Sequence, residues 1–246
     1  MLTLRNPHSV LAAIEARPGD LVDVRLPQGR AHGAWEPVAA AARRLGRPIV
    51  AFDPEARRGP REGGGRAGAE ARLQERMPLE IEELFPDAGP GDLWLAFDEV
   101  QDPHNVGAIF RTAAFFGVRG IVMTDVRAAP LTSVVYDVAS GGVEAVPFAI
   151  EKNLRRALKG SKDAGVWILG SSEHAKRDVA DLPRDRPWLL VVGNEESGLR
   201  RLTLDTCDEV CRIAPRGGTV TSLNVSVAAG VMIAALSSGS PAAPGS

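Results

Sequence analysis

Residues 93–112 read Leu93-Trp94-Leu95-Ala96-Phe97-Asp98-Glu99-Val100-Gln101-Asp102-Pro103-His104-Asn105-Val106-Gly107-Ala108-Ile109-Phe110-Arg111-Thr112. Five apolar side chains in succession predict a strand buried on both faces, and the polar turn after them opens a helical pattern over Asn105–Phe116. On that helix Ile109, Ala113 and Phe116 share the core-facing side, and Arg111 falls on another, one turn beyond Gly107. The missing side chain at Gly107 predicts bare backbone beside the guanidinium, where an anion can approach the helix N-terminus. A surface arginine on an amphipathic helix is the alternative.

The alternation continues outward. Apolar runs at Gly120–Met123, Val166–Leu169, Trp188–Val192 and Val210–Ile213 are interleaved with helical patterns at Asn153–Ala164 and Ser222–Leu236. This order predicts an α/β fold with a mainly parallel sheet covered on both faces. Ligands then belong at the carboxyl ends of the strands. Upstream, a helix at Ser9–Ala16, a strand at Leu21–Arg25, a helix at Glu36–Leu45 and a strand at Pro48–Phe52 form a small α/β unit. The Pro/Gly-rich stretch 86–92 is the better boundary. The chain therefore divides into a small unit (1–88), a linker (89–92), a main unit (93–236) and a disordered tail (237–246). Residues 55–72 use only Ala, Glu, Arg, Gly and Pro, and read as a mobile basic loop with nothing to anchor it in a core.

Two more strand ends carry polar, glycine-containing turns. Gly193-Asn194-Glu195-Glu196-Ser197-Gly198 follows the strand ending at Val192; its glycines let a ligand meet backbone amides, and Glu195 offers a carboxylate. It matches neither a dinucleotide fingerprint nor a phosphate-binding P-loop, and a plain turn with two solvated acids is the alternative. Ile213-Ala214-Pro215-Arg216-Gly217-Gly218-Thr219-Val220-Thr221-Ser222-Leu223-Asn224 leads into the last helix, where Ser222 is placed to cap the N-terminus. Residues 223–236 are apolar on nearly every side, which buries them in a core or a subunit interface. Asn224 is then either a site residue or polar filler.

Composition excludes several functions. The 246 residues carry 29 Lys+Arg against 31 Asp+Glu, a formal charge of −2, so no uniformly basic coat exists. The basic set is 25 Arg and only 4 Lys, and Arg is the better bidentate phosphate ligand. Two cysteines, Cys207 and Cys211, are too few for a disulfide framework or a four-ligand zinc site, and read as packed thiols. His8, His32, His104 and His174 lack metal-ligand spacing, so no metal is expected. Residues 170–174 do not form a serine-hydrolase elbow. Trp35, Trp94, Trp167 and Trp188 read as core. The first residues lack the apolar run of a signal peptide, and no stretch is long and apolar enough to span a membrane; a cytoplasmic location is expected.

Together the three segments resemble the SpoU (TrmH) family of RNA ribose 2′-O-methyltransferases, in the SPOUT superfamily. The residues that carry the resemblance are Asn105-x-Gly107-x-x-x-Arg111, Gly193-Asn194-Glu195-x-x-Gly198 and Ser222-Leu223-Asn224-Val225-Ser226-Val227-Ala228, with Ala139-Ser140-Gly141-Gly142 and Asn153-Leu154 between them. The resemblance implies a C-terminal trefoil knot and S-adenosylmethionine held mostly by backbone near Gly193, Ile213, Ala214 and Leu223. It also implies a homodimer formed through the last helix. Arg111, Asn105, Glu195, Ser222 and Asn224 become the catalytic set. Because a guanidinium rarely gives up its proton, Arg111 is expected to bind the adjacent phosphate and stabilise the developing alkoxide, with the other four orienting it and the ribose.

The N-terminal unit is similar to the RNA-binding domain of ribosomal-RNA-acting members, which favours guanosine in 23S rRNA. However, Gly65-Arg66-Ala67-Gly68-Ala69-Glu70-Ala71 stands where a His-Gln-Gly element is expected. Transfer RNA methylation and a catalytically silent RNA-binding or ribosome-assembly factor are the alternatives. Arg57, Arg58, Arg61 and Arg66, with Arg111, Arg200, Arg201 and Arg216, are expected to supply the local basic surface that the overall charge conceals.

Overall fold

The computed structural model describes residues 1–53, 68–125, 128–217, 219–220 and 222–238. A small sheet holds β1 (Leu2–Leu4), β2 (Leu21–Pro27), β3 (Ile49–Phe52) and β4 (Glu70–Leu73) in the order β1-β4-β2-β3, with α1 (Pro7–Ala16) and α2 (Trp35–Arg44) beside it. The larger sheet holds β5 (Leu93–Asp98), β6 (Gly120–Thr124), β7 (Phe148–Glu151), β8 (Trp167–Ser171), β9 (Arg177–Asp178), β10 (Trp188–Gly193) and β11 (Glu209–Arg212). Its order is β7-β6-β5-β10-β8-β11-β9 and its pairings are parallel. The intervening helices are α3 (Pro103–Phe116), α4 (Ser133–Ala139), α5 (Gly142–Ala145), α6 (Leu154–Asp163), α7 (Arg201–Leu204) and α8 (Val225–Ser237). No helix among the described residues is long and apolar enough to cross a membrane.

The strand period sorts the core. Leu93, Leu95 and Phe97 point to one face, where they meet Ile109, Phe110 and Ala113 of α3 and Ile233 of α8; Trp94 and Ala96 point to the other, where they meet Leu154, Ala157 and Leu158 of α6. Two helix approaches on the first face are closer than side chains allow. A Cβ on Gly107 would lie 2.8 Å from the Val135 carbonyl oxygen of α4, and one on Gly142 would lie 2.6 Å from that of Phe110. The bare backbone at Gly107 is therefore filled by α4 and offers no approach to an anion, correcting the expectation for that residue.

Three other expectations change. Glu70-Ala71-Arg72 belongs to strand β4, inside the small sheet, so that part of the 55–72 loop is ordered: Ala71 and Leu73 are fully buried, and Arg72 donates to Asp23. That bond holds the Asp23 carboxyl below its usual range. Residues 55–67 of that loop, with the arginines at 57, 58, 61 and 66, lie outside the described residues. Trp167 is 41 % exposed, with the Arg186 guanidinium 4.2 Å from its ring centroid, whereas Trp94 and Trp188 are core. Ser237 is helical; the remainder of the expected tail, from 239 onward, lies outside the described residues.

The small unit is docked onto α4 and α5 by polar contacts. Main-chain amides of Arg5 and Asn6 donate to Asp137 (2.9 Å each), the Ser9 hydroxyl donates to the Tyr136 carbonyl (2.6 Å), and Arg17 grips Glu144 through Nε and a terminal nitrogen (2.9 and 2.8 Å). Burial works against the Arg17 charge, but Glu144 and Asp20 outweigh it and raise its pKa. The apolar core is continuous across the junction.

Alanine in place of glycine within a helix normally stabilises by about 0.5–1 kcal/mol. Gly107→Ala is expected to do the reverse and lower the unfolding free energy by about 1–3 kcal/mol, because its Cβ meets a carbonyl that can move only with α4. Gly19→Ala, which meets nothing within 4 Å, is the control for denaturant titration.

Candidate active site

Between β5 and β10 the strand order reverses. The chain leaves β5 for α3 on one face of the sheet and leaves β10 for α7 on the other, opening a crevice at their carboxyl ends, where Asp98 stands opposite Gly193. The 194–198 turn closes by paired main-chain bonds between Asn194 and Gly198 (3.1 and 2.9 Å). A Cβ on Gly193 would lie 2.3 Å from the Gly198 main chain, so only glycine permits the closure. The Asn194 side-chain oxygen accepts from the amides of Glu196 and Ser197, while its nitrogen donates 3.0 Å to the carbonyl of Glu99. Glu99 is itself held at a left-handed φ of 64°. Asp98, fully buried, accepts from the Arg200 amide and Nε (3.0 and 2.6 Å).

Glu195 reaches across the crevice. Its carboxylate accepts from the amides of Gln101 (3.3 Å) and Asp102 (3.2 Å) and from the side chain of Asn105 (3.0 Å). Asn105 in turn accepts from the Asn224 side-chain nitrogen at 3.1 Å. The Asn224 oxygen accepts from the Ser226 amide at 2.9 Å and thereby caps α8. Glu195, Asn105 and Asn224, from three separate segments, form one hydrogen-bonded chain. The N-cap is thus Asn224 and not Ser222, because α8 begins at Val225; Ser222 is exposed and makes no hydrogen bond among the described residues.

Arg111 stands apart from this chain, six residues beyond Asn105 and about 9 Å along α3. It is exposed, its side chain has no ion-pair or hydrogen-bond partner among the described residues, and it lines a cavity of about 610 Å³ with Thr112, Phe115, Ser140 and Gly142. Apolar side chains are exposed on both helices here: Phe115, which lines the same cavity, is 81 % exposed, and Val227 and Val231 of α8, which packs against α3, are 51 % and 41 % exposed. α8 therefore buries one side, through Ala229, Met232, Ile233 and Leu236, and presents the other.

The cofactor candidates lie at the ends of β10 and β11. Gly193 ends β10 and Ile213 directly follows β11, two places away in the sheet, a gap of about 10 Å. The Ala214 amide donates to Asp178 (3.0 Å), while the carbonyls of Ile213, Ala214 and Leu223 accept no hydrogen bond among the described residues. Leu223 is half exposed. Asn194, Asp98 and Asp178 were missed as site-building residues. An asparagine directly after a strand-terminal glycine was the available signal for Asn194; nothing local marks the other two. Cys207 and Cys211 are thiols pushed up to about 12 by burial and are inert near neutrality.

Residues 92–234 match the SpoU rRNA methylase family. The 23S rRNA (guanosine-2'-O-)-methyltransferase RlmB of Vibrio cholerae is 35% identical over 228 residues, 92% of this chain and 92% of that protein. Among solved structures, the SpoU methyltransferase AviRb of Streptomyces viridochromogenes has the same fold, with a TM-score of 0.79 at 20% identity over 96% of this chain and 88% of that one. The A. aeolicus TrmH/SpoU tRNA modifying enzyme has a TM-score of 0.54 at 26% identity over 64% of this chain and 79% of that one.

Burial pushes the Glu195 carboxyl up, but the Asn105 amide and the main-chain donors outweigh it and hold its pKa below the usual carboxylate range. A lowered folded-state pKa gives stability that is present above the unfolded value of about 4.3 and is lost as pH falls through the folded one. Thermal midpoints of wild type and Glu195→Gln are therefore expected to differ near neutrality and converge on the acid side. A gap that persists unchanged down to ~pH 3 contradicts this. Asn105→Ala, which strands both neighbours, is expected to cost about 1–3 kcal/mol.

Proposed function

The chain belongs to the SpoU rRNA methylase family, and we propose that it methylates a ribose 2′-hydroxyl of 23S ribosomal RNA, on a guanosine, in the cytoplasm, with S-adenosylmethionine as methyl donor. The observation that carries this reading is the Glu195–Asn105–Asn224 chain, which ties three polar segments together at the strand switch point. Ribosomal RNA is favoured over transfer RNA because the likeness to the rRNA-modifying relative covers 92% of this chain and so extends well into residues 1–88, the unit we assign to RNA docking, with residues 89–92 as its junction to the methyltransferase unit 93–236.

The residues at the strand ends suit the donor. Half-exposed Leu223 and apolar Ile213 offer faces for a purine, and the carbonyls of Ile213, Ala214 and Leu223, unbonded among the described residues, offer polar contacts with the turn at Gly193. S-adenosylmethionine, when bound, supplies a methyl group already activated on a sulfonium sulfur. What the chain must supply is position, an oriented ribose and stabilisation of the charge that develops as the 2′-hydroxyl loses its proton. Asn105 and Asn224 hold fixed amides at the crevice, and Glu195 fixes Asn105. Ser222, which has no hydrogen-bond partner among the described residues, is available to the ribose. Arg111 is assigned to the adjacent phosphate and the alkoxide.

With that last assignment goes a homodimer. A homodimer closing over α3 and α8 would bury the exposed Phe115, Val227 and Val231 and enclose the Arg111 guanidinium in a drier setting. The family's trefoil knot is part of the same proposal. It is supported by the course of α8, which returns from β11 near the sheet edge to lie against β5, β10 and the turn Val179–Asp181.

Arg111→Ala is expected to reduce methylation of an rRNA transcript by about 10²–10⁴-fold while leaving S-adenosylmethionine affinity, read by calorimetry, unchanged. Normal turnover in a folded Arg111→Ala protein removes the assignment. Val231→Glu is expected to give a monomer in sedimentation and to lose activity with it; an active monomer argues against the shared surface.

A further inference from the structure

We propose that the exposed face of α6, with the groove between α6 and α7, is a second contact surface for the RNA phosphate backbone, on the sheet face opposite α3 and α8. It rests on the reading that the substrate is RNA.

The chain has 4 lysines, and Lys152, Lys159 and Lys162 fall within this one helix and the residue pair before it. With Arg155 and Arg156 they give five cations and no acid across residues 152–162. Leu154, Ala157, Leu158 and Ser161 are buried, so helical phase puts Arg155, Arg156, Lys159 and Lys162 on the outer face, and Lys152, exposed, precedes the N-cap Asn153. Arg156 is paired with Glu82 (3.0 Å) and Lys162 with Asp208 (2.8 Å). Lys152, Arg155 and Lys159 are exposed, and their side chains have no partner among the described residues.

The helix dipole adds an independent argument. Arg155 and Arg156 occupy the first turn of α6, which holds no acidic residue. Cations there oppose the positive end of the helix, where stability alone favours Asp or Glu. Glu82 and Glu151 offset this for Arg156 (3.0 and 3.9 Å), but no such pair offsets it for Arg155 among the described residues, whereas a bound polyanion would.

The surface is also shaped. A groove of about 630 Å³ is lined by Arg155, Arg156, Lys159 and Lys162 on one side and Asp205 and Thr206 on the other. Asp205 follows α7 as its C-cap, and α7 begins at Arg201, which is exposed and has no side-chain partner among the described residues. The preceding Arg200 is held by Asp98 and Glu99 at the rim of the crevice. An RNA strand leaving the crevice past Arg200 and Arg201 meets the groove next. Lysine is depleted in protein–protein interfaces, whereas backbone phosphates take Lys and Arg without regard to sequence.

The test uses the full chain carrying Lys152→Gln, Arg155→Gln and Lys159→Gln, none of which lies in the proposed methyl-transfer machinery. Filter binding to a 23S rRNA transcript across a salt series is expected to show about tenfold weaker binding at low salt. The slope of log K against log salt should be shallower by about 0.7–0.9 for each phosphate that the variant no longer neutralises. KM for RNA should rise while kcat at saturating RNA and S-adenosylmethionine affinity stay at wild-type values. The thermal midpoint should be unchanged or higher, because a cation has been removed from the helix N-terminus. The single variant Arg155→Gln should move RNA affinity in the same direction and serves if the triple variant folds poorly. Affinity and slope equal to wild type overturn the proposal. So does normal binding to naked RNA with impaired methylation of ribosomal particles, which assigns the face to an acidic protein instead. If wild type binds RNA but methylates none, while the variant still binds more weakly, the activity reading falls and this surface stands.

Discussion

Everything at the crevice depends on the absence of a side chain at Gly193. The main chain of Gly198 and Leu199 passes within 2.3–2.5 Å of the place a Cβ would occupy. That approach lets the turn close on itself, and the closed turn sends Glu195 back over the amides of Gln101 and Asp102. Without it, Glu195 would point into solvent and Asn105 would lose its acceptor. The requirement is steric before it is chemical: the glycine holds the loop, the loop holds the carboxylate, and the carboxylate orders the amides.

The same logic of close approach recurs under α3. Gly107 and Gly142 let α4 and α5 sit against its backbone on either side of Phe110, and α5 also bears Glu144, the acid that Arg17 of the small unit grips. The helix that carries Asn105 and Arg111 is thus fixed by core apolar contacts beneath it and by two backbone-to-backbone approaches beside it. The docked small unit leans on the same support. That packing fixes where the backbone of Asn105 and Arg111 stands; the Asn105 side chain is then held by Glu195 and Asn224, whereas that of Arg111 has no partner among the described residues.

Most of the larger sheet was legible because its strands are continuous apolar runs, which buried parallel strands require. Leu93–Asp98 and Trp188–Gly193 lie within a residue or so of their expected ends. Strand β4 was hidden because Glu70-Ala71-Arg72 has neither strand propensity nor apolar alternation. It is held in the sheet by Ala71 and Leu73 packing and by ion pairs to residues some 50 positions away, which no local pattern reports. At the site, residue types were readable and roles were less so. Gly107 was assigned to a ligand and belongs to a helix contact, and Ser222 was given the cap that Asn224 provides. In each case the residue was noticed and its neighbour in space was not, because that neighbour comes from α4 or from the turn of a helix starting three residues later.

Asn224 has a consequence that concerns chemical interchangeability. As a helix cap it needs only an oxygen, and Ser, Thr or Asp would serve as well. As the donor to Asn105 it needs an N–H, which no carboxylate has. Asn105 faces the same double demand, since it must donate to Glu195 and accept from Asn224. Glu195, ionised, can only accept, and so it gives the whole row a direction. Each amide is fixed in one of its two otherwise equivalent orientations, with oxygen toward α8 and nitrogen toward the carboxylate. A row of two amides ending in a carboxylate is a polarised wire, and reversing any member would set like against like along its length.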